Sequence, residues 1–482
     1  MAHSIKNSYW LRSGFFTILE RLGVQVFGFG AVFFLFRALS IADFESWVLY
    51  LAIINILEVG RAGLIQNALI KFLSADEQQA AGANQARINT ASLTLNGIIT
   101  AGIVVVLLLL SEPAGWLFGS AELPTMLRIY CLTTVLLTPF FQSNFTQQAH
   151  LQFSGITWSN MMKQGSLFAF IAVLYLSAAE VTLLRLVWWQ VIGAVLASGV
   201  SVYFGKRFLT FDRQIDWPTV RELFHYGKFV FGTNLSTMLY KSIDKMMLGA
   251  LPAAGAGAVA IYEAAIKVTN LVEVPTFSMA SMLFPQSARS ATDKGALKQL
   301  YEKAVGSILA ILVPGIILVE LFAEPIITFI ASEKYLAAAP LLRWTILYGL
   351  FIPFAIQFGT VLDSMGKPKV NFRITLLSMV LNVVFNFIFI NAFGIAGAAY
   401  GTLLTYGVTF VIMQRLLYRE LDIRFYEAFR HIPQFYQKAL QLIGARFTKN
   451  NKNTPIQTPE PPTVHSPKTP KKPTELESMP PI

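Results

Sequence analysis

Charged side chains lie well inside the long apolar runs of this 482-residue chain. The basic members of this set are Arg21, Arg61, Lys241, Lys245 and Lys267. An ionised side chain at the centre of a bilayer costs about 2.5–3.5 kcal/mol on insertion scales, so intramembrane charges usually face a water-filled cavity or one another. The pattern predicts a transporter in which these cations line a central cavity and bind an anionic substrate.

Acidic and amide side chains occupy the same kind of position. Those predicted to couple transport to an ion are Glu58, Asp244, Asn270 and Glu273. Buried carboxylates near mid-membrane can bind Na⁺ or exchange protons. Spacings of four and three residues also place Glu263, Lys267 and Asn270 on one helical face. For Glu263 and Lys267 a second interpretation stays open, in which the opposite charges only neutralise each other and hold helices together.

The composition is that of a membrane protein. Hydrophobic residues make up 54% of the chain, charged residues only 13%, and the mean hydropathy is +0.54. The net charge of +11 comes mostly from loops between the apolar runs. This distribution indicates membrane topology and argues against a nucleic-acid partner.

No residue pattern indicates an enzyme, a cofactor or a metal site. Cys131 is the single cysteine and the five histidines are scattered, so neither a disulfide framework nor a zinc site is predicted. The turn at Gly366-Lys367-Pro368 lacks the residue spacing of a phosphate-binding loop. We therefore do not expect direct coupling to ATP hydrolysis.

Apolar runs that could each span a bilayer, which takes about 20 residues, occur twelve times. We place them at 14–37, 44–66, 88–110, 125–147, 157–177, 182–204, 224–249, 258–283, 303–323, 337–362, 372–391 and 395–417. The predicted fold class is an all-α polytopic membrane protein. Residues 55–59 (NILEV) match 270–274 (NLVEV) at an offset of 215, which predicts two six-helix lobes related by a pseudo-two-fold axis along the membrane normal.

The chain is expected to divide into five segments. They are an N-terminal lobe (1–205), a cytoplasmic linker (206–223), a C-terminal lobe (224–420), an interfacial amphipathic helix (421–447) and a disordered cytoplasmic tail (448–482). The tail is rich in Pro, Thr and Lys and has almost nothing to bury, which is typical of disorder. For the amphipathic segment, a soluble helix or a simple linker stays open.

Several stretches resemble a known family. They are 244–268 (DKMMLGALPAAGAGAVAIYEAAIKV), 335–372 with its loop SMGKPK, and 382–405 (NVVFNFIFINAFGIAGAAYGTLLT). Together they resemble polysaccharide-unit flippases of the multidrug/oligosaccharidyl-lipid/polysaccharide (MOP) exporter superfamily. The segment 36–47 (FRALSIADFESW) is similar to the Arg-containing segment between the first two spans of that family, although Glu45 stands where a Gly is usual.

The resemblance implies a bacterial inner-membrane flippase that moves undecaprenyl-pyrophosphate-linked oligosaccharide units by alternating access, for O-antigen (lipopolysaccharide) or exopolysaccharide biosynthesis. The expected partners are this lipid-linked substrate, membrane lipids, H⁺ or Na⁺ as coupling ion, and polysaccharide polymerase machinery. Three alternatives stay open: a cation-coupled multidrug exporter, a lipid II flippase and a non-transporting assembly scaffold. A basic surplus inside the cavity would favour the flippase over the drug exporter.

The distribution of Lys and Arg between loops predicts which end of the molecule is cytoplasmic. Several basic residues lie in each of the loops 205–223, 289–303 and 366–373. None lies in the loops 111–123, 250–257 and 392–394. By the positive-inside rule, the first set of loops and both termini are cytoplasmic.

This topology is testable with single cysteines and a membrane-impermeant thiol reagent. A cysteine after Leu251 should react only from the outer side, and one after Lys294 only from the cytoplasmic side. A buried position within an apolar run serves as the unreactive control. Reaction of both from the same side would exclude the topology.

Overall fold

The computed structural model describes residues 2–79, 83–291, 293–437 and 440–441, and within them every regular element is helical. The α-helices are α1 (Ala2–Ala38), α2 (Ile41–Gln79), α3 (Gln85–Leu117), α4 (Leu123–Leu136), α5 (Thr138–Ala149), α6 (Phe153–Leu176), α7 (Leu183–Gly205), α8 (Trp217–Ala250), α9 (Ala258–Thr269), α10 (Glu273–Arg289), α11 (Lys294–Leu321), α12 (Ala323–Ala331), α13 (Ala338–Ile346), α14 (Ile352–Ser364), α15 (Pro368–Phe393) and α16 (Ile395–Leu421). Short 3-10 helices occupy Pro252–Ala254, Asn270–Val272, Glu333–Tyr335, Leu347–Leu350 and Phe425–Arg430. The predicted tail, 448–482, lies outside the described residues, as does the end of the predicted amphipathic helix.

Within the described residues, eight helices are long and apolar enough to cross a membrane, or nine if α4 and α5 form one bent span. The side-chain distribution of helix α3 is that of a helix that faces lipid. Its Asn89 and Asn96 are fully buried, whereas Leu109 is 69% exposed. Polar side chains therefore face other helices and leucine faces outward, as in membrane bundles. The predicted count of twelve spans stays a prediction.

Three predicted spans are broken helices. The fourth is α4 and α5, which meet at a 43° bend. The eighth is α9 and α10 around the 3-10 turn at Asn270–Val272, and the tenth is α13 and α14 around Leu347–Leu350. A proline follows each break (Pro139, Pro275 and Pro353). Proline has no N–H to donate and its ring clashes with the preceding turn, so one helix ends and another begins.

The helices form two lobes, which we call the first lobe (α1–α7) and the second lobe (α8–α16). Helix α8 runs along α2 and joins them. At its start, Val220 and Leu223 share a buried apolar cluster with Ile65 and Leu69 of α2. Farther along, Leu248 of α8 belongs to the large central cluster, which includes residues of both lobes. The described part of the linker before α8 is held by Arg87 of α3, whose Nε lies 2.6 Å from Asp216 Oδ2.

The lobes also meet at the predicted outer end, through contacts that we call the outer latch: Glu45, Arg37 and Lys334. The carboxylate of Glu45 on α2 accepts hydrogen bonds from the backbone N–H groups of Gly257 and Val259, each at 2.9 Å. These groups lie at the start of α9, where the helix dipole favours an anion. Arg37 Nη1 donates to the Ile330 carbonyl at 2.9 Å, and Lys334 Nζ donates to the carbonyl of Leu39 at 2.5 Å.

The latch predicts that Glu45 sets how often the outer end opens. Two charge-assisted hydrogen bonds across the lobes are lost in Glu45→Ala, and each such bond is worth about 1.5–3 kcal/mol. We expect the ratio of closed to open molecules to fall about tenfold or more. Spin labels at Glu122→Cys and Ala253→Cys, in a Cys131→Ser background, would report the change as longer inter-label distances by pulsed electron spin resonance.

Asp43→Ala is the matched control. This carboxylate lies in the first turn of α2, two residues before Glu45, but accepts a hydrogen bond at 2.6 Å from Ser40, three residues away. Its loss should leave the distance distribution unchanged. The latch has no such role if Glu45→Ala gives the wild-type distribution.

Candidate functional site

Two neighbouring cavities lie between the helices, and we name each by the lobe that supplies most of its polar groups. The second-lobe compartment has a volume of about 250 Å³ and is lined mainly by α2, α8 and α9. The first-lobe compartment has a volume of about 210 Å³ and is lined mainly by α1, α2, α6 and α7. Val32, Trp47, Leu51 and Asn55 line both. The two compartments are therefore neighbours across α1 and α2.

A three-membered charge cluster anchors the second-lobe compartment. Glu263 is 4% exposed, and its two carboxylate oxygens lie 2.6 Å from Lys245 Nζ and 3.0 Å from Lys267 Nζ. A carboxylate accepts hydrogen bonds in several directions, so one side chain can serve two ammonium groups. The sequence interpretation in which Glu263 and Lys267 neutralise each other matches this geometry. Lys245 on the neighbouring helix α8 is the additional member.

Two further polar contacts complete that compartment. Lys241 Nζ lies 2.9 Å from both carboxylate oxygens of Glu273. The Tyr262 hydroxyl donates to Asp244 Oδ2 at 2.7 Å. Asp244 is 8% exposed, and its Oδ1 has no hydrogen-bond partner among the described residues. Asn270 also lines this compartment, as do the three lysines and the three carboxylates of these contacts.

The first-lobe compartment is built mainly from uncharged polar groups. Its lining includes the amides Asn55, Gln164 and Gln190, with Glu58 and Lys163 as its charged members. The Tyr130 hydroxyl donates to Glu58 Oε1 at 2.8 Å, and the Tyr50 hydroxyl donates to Gln190 Oε1 at 2.5 Å. Glu58, predicted for ion coupling, thus lies apart from the other three residues of that set.

A third cavity, which we call the α1–α10 opening, lies between the lobes toward the predicted cytoplasmic end. It has a volume of about 760 Å³ and is lined by α1, α6 and α10. Arg21 and Lys163 lie on its first-lobe wall, and Phe277 and Met282 on its second-lobe wall. Among the described residues, neither Arg21 nor Lys163 has a carboxylate within ion-pair distance, so both cations are available to an anion.

Arg61 lies outside these three cavities, which corrects its predicted position. Its guanidinium is 1% exposed and donates to Thr100 Oγ1 at 2.7 Å and to Thr134 Oγ1 at 2.8 Å. The group also lies 5.0 Å from the centre of the Phe141 ring. These hydroxyls of α3 and α4 contact Nη2, while Nε and Nη1 have no hydrogen-bond partner among the described residues. Helical spacing along α2 alone could not predict these contacts.

The predicted basic surplus is absent from both central compartments as the structure describes them. Three lysines and three carboxylates line the second-lobe compartment. One lysine, Lys163, and one carboxylate, Glu58, line the first-lobe compartment. The α1–α10 opening differs, because Arg21 and Lys163 there outnumber Glu20. Lys163 lines both the first-lobe compartment and this opening, and the sequence analysis did not include it among the candidate residues. A lone lysine within the fifth predicted span was the available signal.

No group of three or more His, Cys, Asp or Glu side chains that could hold a metal ion occurs in the described part of the chain. What the arrangement can do is bind: it offers free cations at an opening, hydrogen-bonding amides beside it, and paired charges in the other lobe.

Comparison with known proteins agrees with this architecture. The profile of a family described as polysaccharide biosynthesis protein matches residues 34–340. An uncharacterised membrane protein of Methanocaldococcus jannaschii is 28% identical over 255 residues, which cover 52% of this chain and 49% of that protein. The probable low-salt glycan biosynthesis flippase Agl15 of Haloferax volcanii is 24% identical over 269 residues, covering 51% of this chain and 56% of Agl15. The chain thus spans about half the length of these curated relatives.

Solved structures share the fold. A multidrug resistance MATE family transporter of the MOP superfamily, in an inward-facing conformation, superposes with a TM-score of 0.70 at 14% identity, covering 86% of this chain and 96% of that one. The lipid II flippase MurJ, in an inward closed conformation, also gives 0.70, at 13% identity and 92% and 94% coverage. The predicted all-α, polytopic, two-lobed fold is confirmed, and it is the fold of these two solved transporters.

The charge cluster predicts a large stability loss when its shared carboxylate is removed. Glu263→Gln leaves Lys245 and Lys267 without their counter-ion. Breaking a buried pair from one side costs about 3–5 kcal/mol, so the melting temperature in detergent should fall clearly. Adding Lys245→Met should recover part of the loss, because one stranded charge is then gone.

Glu324→Gln is the control for the same chemical change at a more exposed pair. Glu324 lies 3.5 Å from Arg343, and the two side chains are 60% and 43% exposed. Such pairs contribute at most about 1 kcal/mol. Equal melting temperatures for Glu263→Gln and Glu324→Gln would contradict the assignment of Glu263 as the structural anchor.

Proposed function

This chain belongs to the polysaccharide biosynthesis protein family, and we propose that it is a flippase for lipid-linked oligosaccharides. The cargo that we propose is an oligosaccharide unit linked through pyrophosphate to undecaprenol, carried across the bacterial inner membrane for cell-surface polysaccharide synthesis. The chain acts as a transporter and not as an enzyme. Movement of the two lobes exposes the compartments first to one side and then to the other.

The observation that carries this proposal is that the α1–α10 opening holds two cations with no carboxylate within ion-pair distance among the described residues. Arg21 and Lys163 line the same cavity from helices α1 and α6. Leu22, at 61% exposure, and Phe277 and Met282, at 47% and 60%, flank it with apolar surface. A substrate with a pyrophosphate and a long hydrocarbon tail needs both features, since its charge requires cations and its tail stays in lipid.

The local charge balance supports this opening as the pyrophosphate site, because the lysines that the sequence predicted for that role already have carboxylate partners. Lys241 and Lys245 already have carboxylate partners at 2.9 and 2.6 Å. An anion that binds there must displace a carboxylate, buried in the case of Glu263 and partly exposed in the case of Glu273, at the cost of leaving that carboxylate unpaired. Arg21 and Lys163 need no such exchange. The cation set that we propose therefore differs from the predicted one at Arg61, Lys241, Lys245 and Lys267.

The relatives support the same direction of function. Agl15 is named as a probable flippase of glycan biosynthesis, which fits a lipid-linked sugar as cargo. A cation-coupled drug exporter is disfavoured, because such a site needs an excess of acidic groups and the described compartments hold as many lysines as carboxylates. We further propose both termini on the cytoplasmic side, with the α1–α10 opening facing the inner leaflet.

Asp244 is the residue that we propose for coupling to H⁺ or Na⁺. Of the three predicted coupling carboxylates, Glu273 is held by Lys241 and Glu58 faces the other lobe. Asp244 is buried, accepts one hydrogen bond from Tyr262, and keeps one oxygen without a partner among the described residues. A buried carboxylate oxygen of this kind can take a proton or ligate a small cation.

Removing the opening's cations should abolish transport without unfolding the protein. We expect Arg21→Ala and Lys163→Ala each to lower headgroup transfer in proteoliposomes at least tenfold, because each removes a charge-assisted contact with pyrophosphate. Arg21→Lys should restore transport only in part, since lysine lacks the planar fork that matches phosphate oxygens. The readout is protection of a fluorescent polyprenyl-pyrophosphoryl sugar from an external quencher.

Arg289→Ala is the matched control, an exposed arginine in the last turn of α10 that lies outside the lining of the opening. It should transport at the wild-type rate. Normal transport by the double variant Arg21→Ala with Lys163→Ala would exclude the proposed pyrophosphate site.

A further inference from the structure

We propose that the first-lobe compartment binds the sugar residue attached directly to the pyrophosphate, and that it selects cargo by that sugar. This proposal rests on the flippase function above and adds a specificity site to it. The residues that we assign to it are Glu58, Gln164, Gln190 and Trp189.

The polar groups of this compartment have the chemistry of sugar recognition. A sugar hydroxyl both donates and accepts hydrogen bonds. The side-chain amides of Gln164 and Gln190 do the same, and the Glu58 carboxylate accepts. The second-lobe compartment, by contrast, is dominated by ion pairs. An uncharged sugar gains little from groups that already satisfy one another.

Two of these groups are held in place and still have free hydrogen-bonding capacity. Tyr130 donates to one oxygen of Glu58, which leaves the second oxygen for another donor. Tyr50 donates to the amide oxygen of Gln190, so the NH₂ group of Gln190 is left to donate. The partner hydroxyls come from α2 and α4, and they fix orientations before any ligand arrives. Such preorganisation lowers the entropy lost on binding.

Trp189 supplies a fixed aromatic surface. Its ring stacks on Phe170 with centroids 4.2 Å apart and planes 2° from parallel. Its indole N–H donates to the Ser166 carbonyl at 2.8 Å. These contacts define which way the ring lies in the compartment wall. A flat apolar surface with its polar atom already satisfied packs well against the C–H faces of a sugar ring.

The position and size of the compartment match the covalent order of the cargo. Lys163 and Gln164 line both the α1–α10 opening and the first-lobe compartment. A pyrophosphate held by Arg21 and Lys163 therefore places its first sugar at the entrance to this compartment. The volume of about 210 Å³ is below the ~300–1,000 Å³ typical of pockets for drug-sized ligands. It suits one sugar ring and not a whole oligosaccharide.

The test compares binding of a bare carrier with binding of the same carrier bearing one sugar. The probes are undecaprenyl pyrophosphate and its glucosyl, galactosyl and N-acetylglucosaminyl derivatives, measured on the full chain in nanodiscs. At least one sugar should bind more tightly than the bare carrier. Glu58→Gln and Gln190→Ala should each reduce that gain by about tenfold, the worth of one hydrogen bond. Binding of the bare carrier should not change.

The controls separate this proposal from the one on which it rests. Arg21→Ala should weaken all probes alike, and absence of any binding by the bare carrier to the wild type would overturn the flippase proposal and this one with it. Asn391→Ala, an exposed amide whose side chain bonds the Phe387 carbonyl of its own helix, should change nothing. Equal losses for bare and sugar-bearing probes in Glu58→Gln and Gln190→Ala, or no sugar preference in the wild type, would overturn the sugar site alone.

Discussion

The constraint on which this structure depends is that a charge among membrane helices must find a partner. Glu263 meets that constraint for two lysines at once, and in doing so ties α8 to α9. Lys241 and Glu273 tie α8 to the start of α10 in the same way. The charges involved lie on both sides of the 3-10 turn at Asn270–Val272 that joins α9 to α10. The charges that cost most to bury are therefore also what positions the second-lobe compartment.

The two lobes meet the same constraint by different means. In the second lobe the partners are permanent and lie within the protein. In the first lobe, Arg61 donates from one guanidinium nitrogen to the hydroxyls of Thr100 and Thr134, while Arg21 and Lys163 lack an acidic partner among the described residues. A pyrophosphate is a mobile partner that can complete the unfinished pair. An anion can then bind to Arg21 and Lys163 through charge-assisted hydrogen bonds without breaking a buried ion pair.

The sequence shows local order well and tertiary partners poorly. Helical spacing was enough to group Glu263 with Lys267, because residues four apart share a face whatever surrounds them. It could not place Lys245 beside Glu263 or Thr134 beside Arg61, since those contacts depend on how separate helices pack. The bend between α4 and α5 and the short helix α12 were missed for a related reason. A hydropathy window averages over a proline and over a short surface helix.

Helix α2 carries residues of both the outer latch and the proposed sugar site. It carries Glu45 of the outer latch, then Trp47 and Asn55 of both compartments, then Glu58 of the proposed sugar site. A displacement of α2 would therefore change the contacts of the outer latch and the lining of both compartments together. A ligand shifts a two-state equilibrium only by the difference between its affinities for the two states. The hydrogen bonds of Glu45 to the start of α9 stabilise the closed outer end. A cargo opens it only if its binding free energy favours the open state by more than these hydrogen bonds favour the closed state. In a chain with glycine at that position the threshold would be lower, so Glu45 links the selectivity of opening to how well the cargo fits.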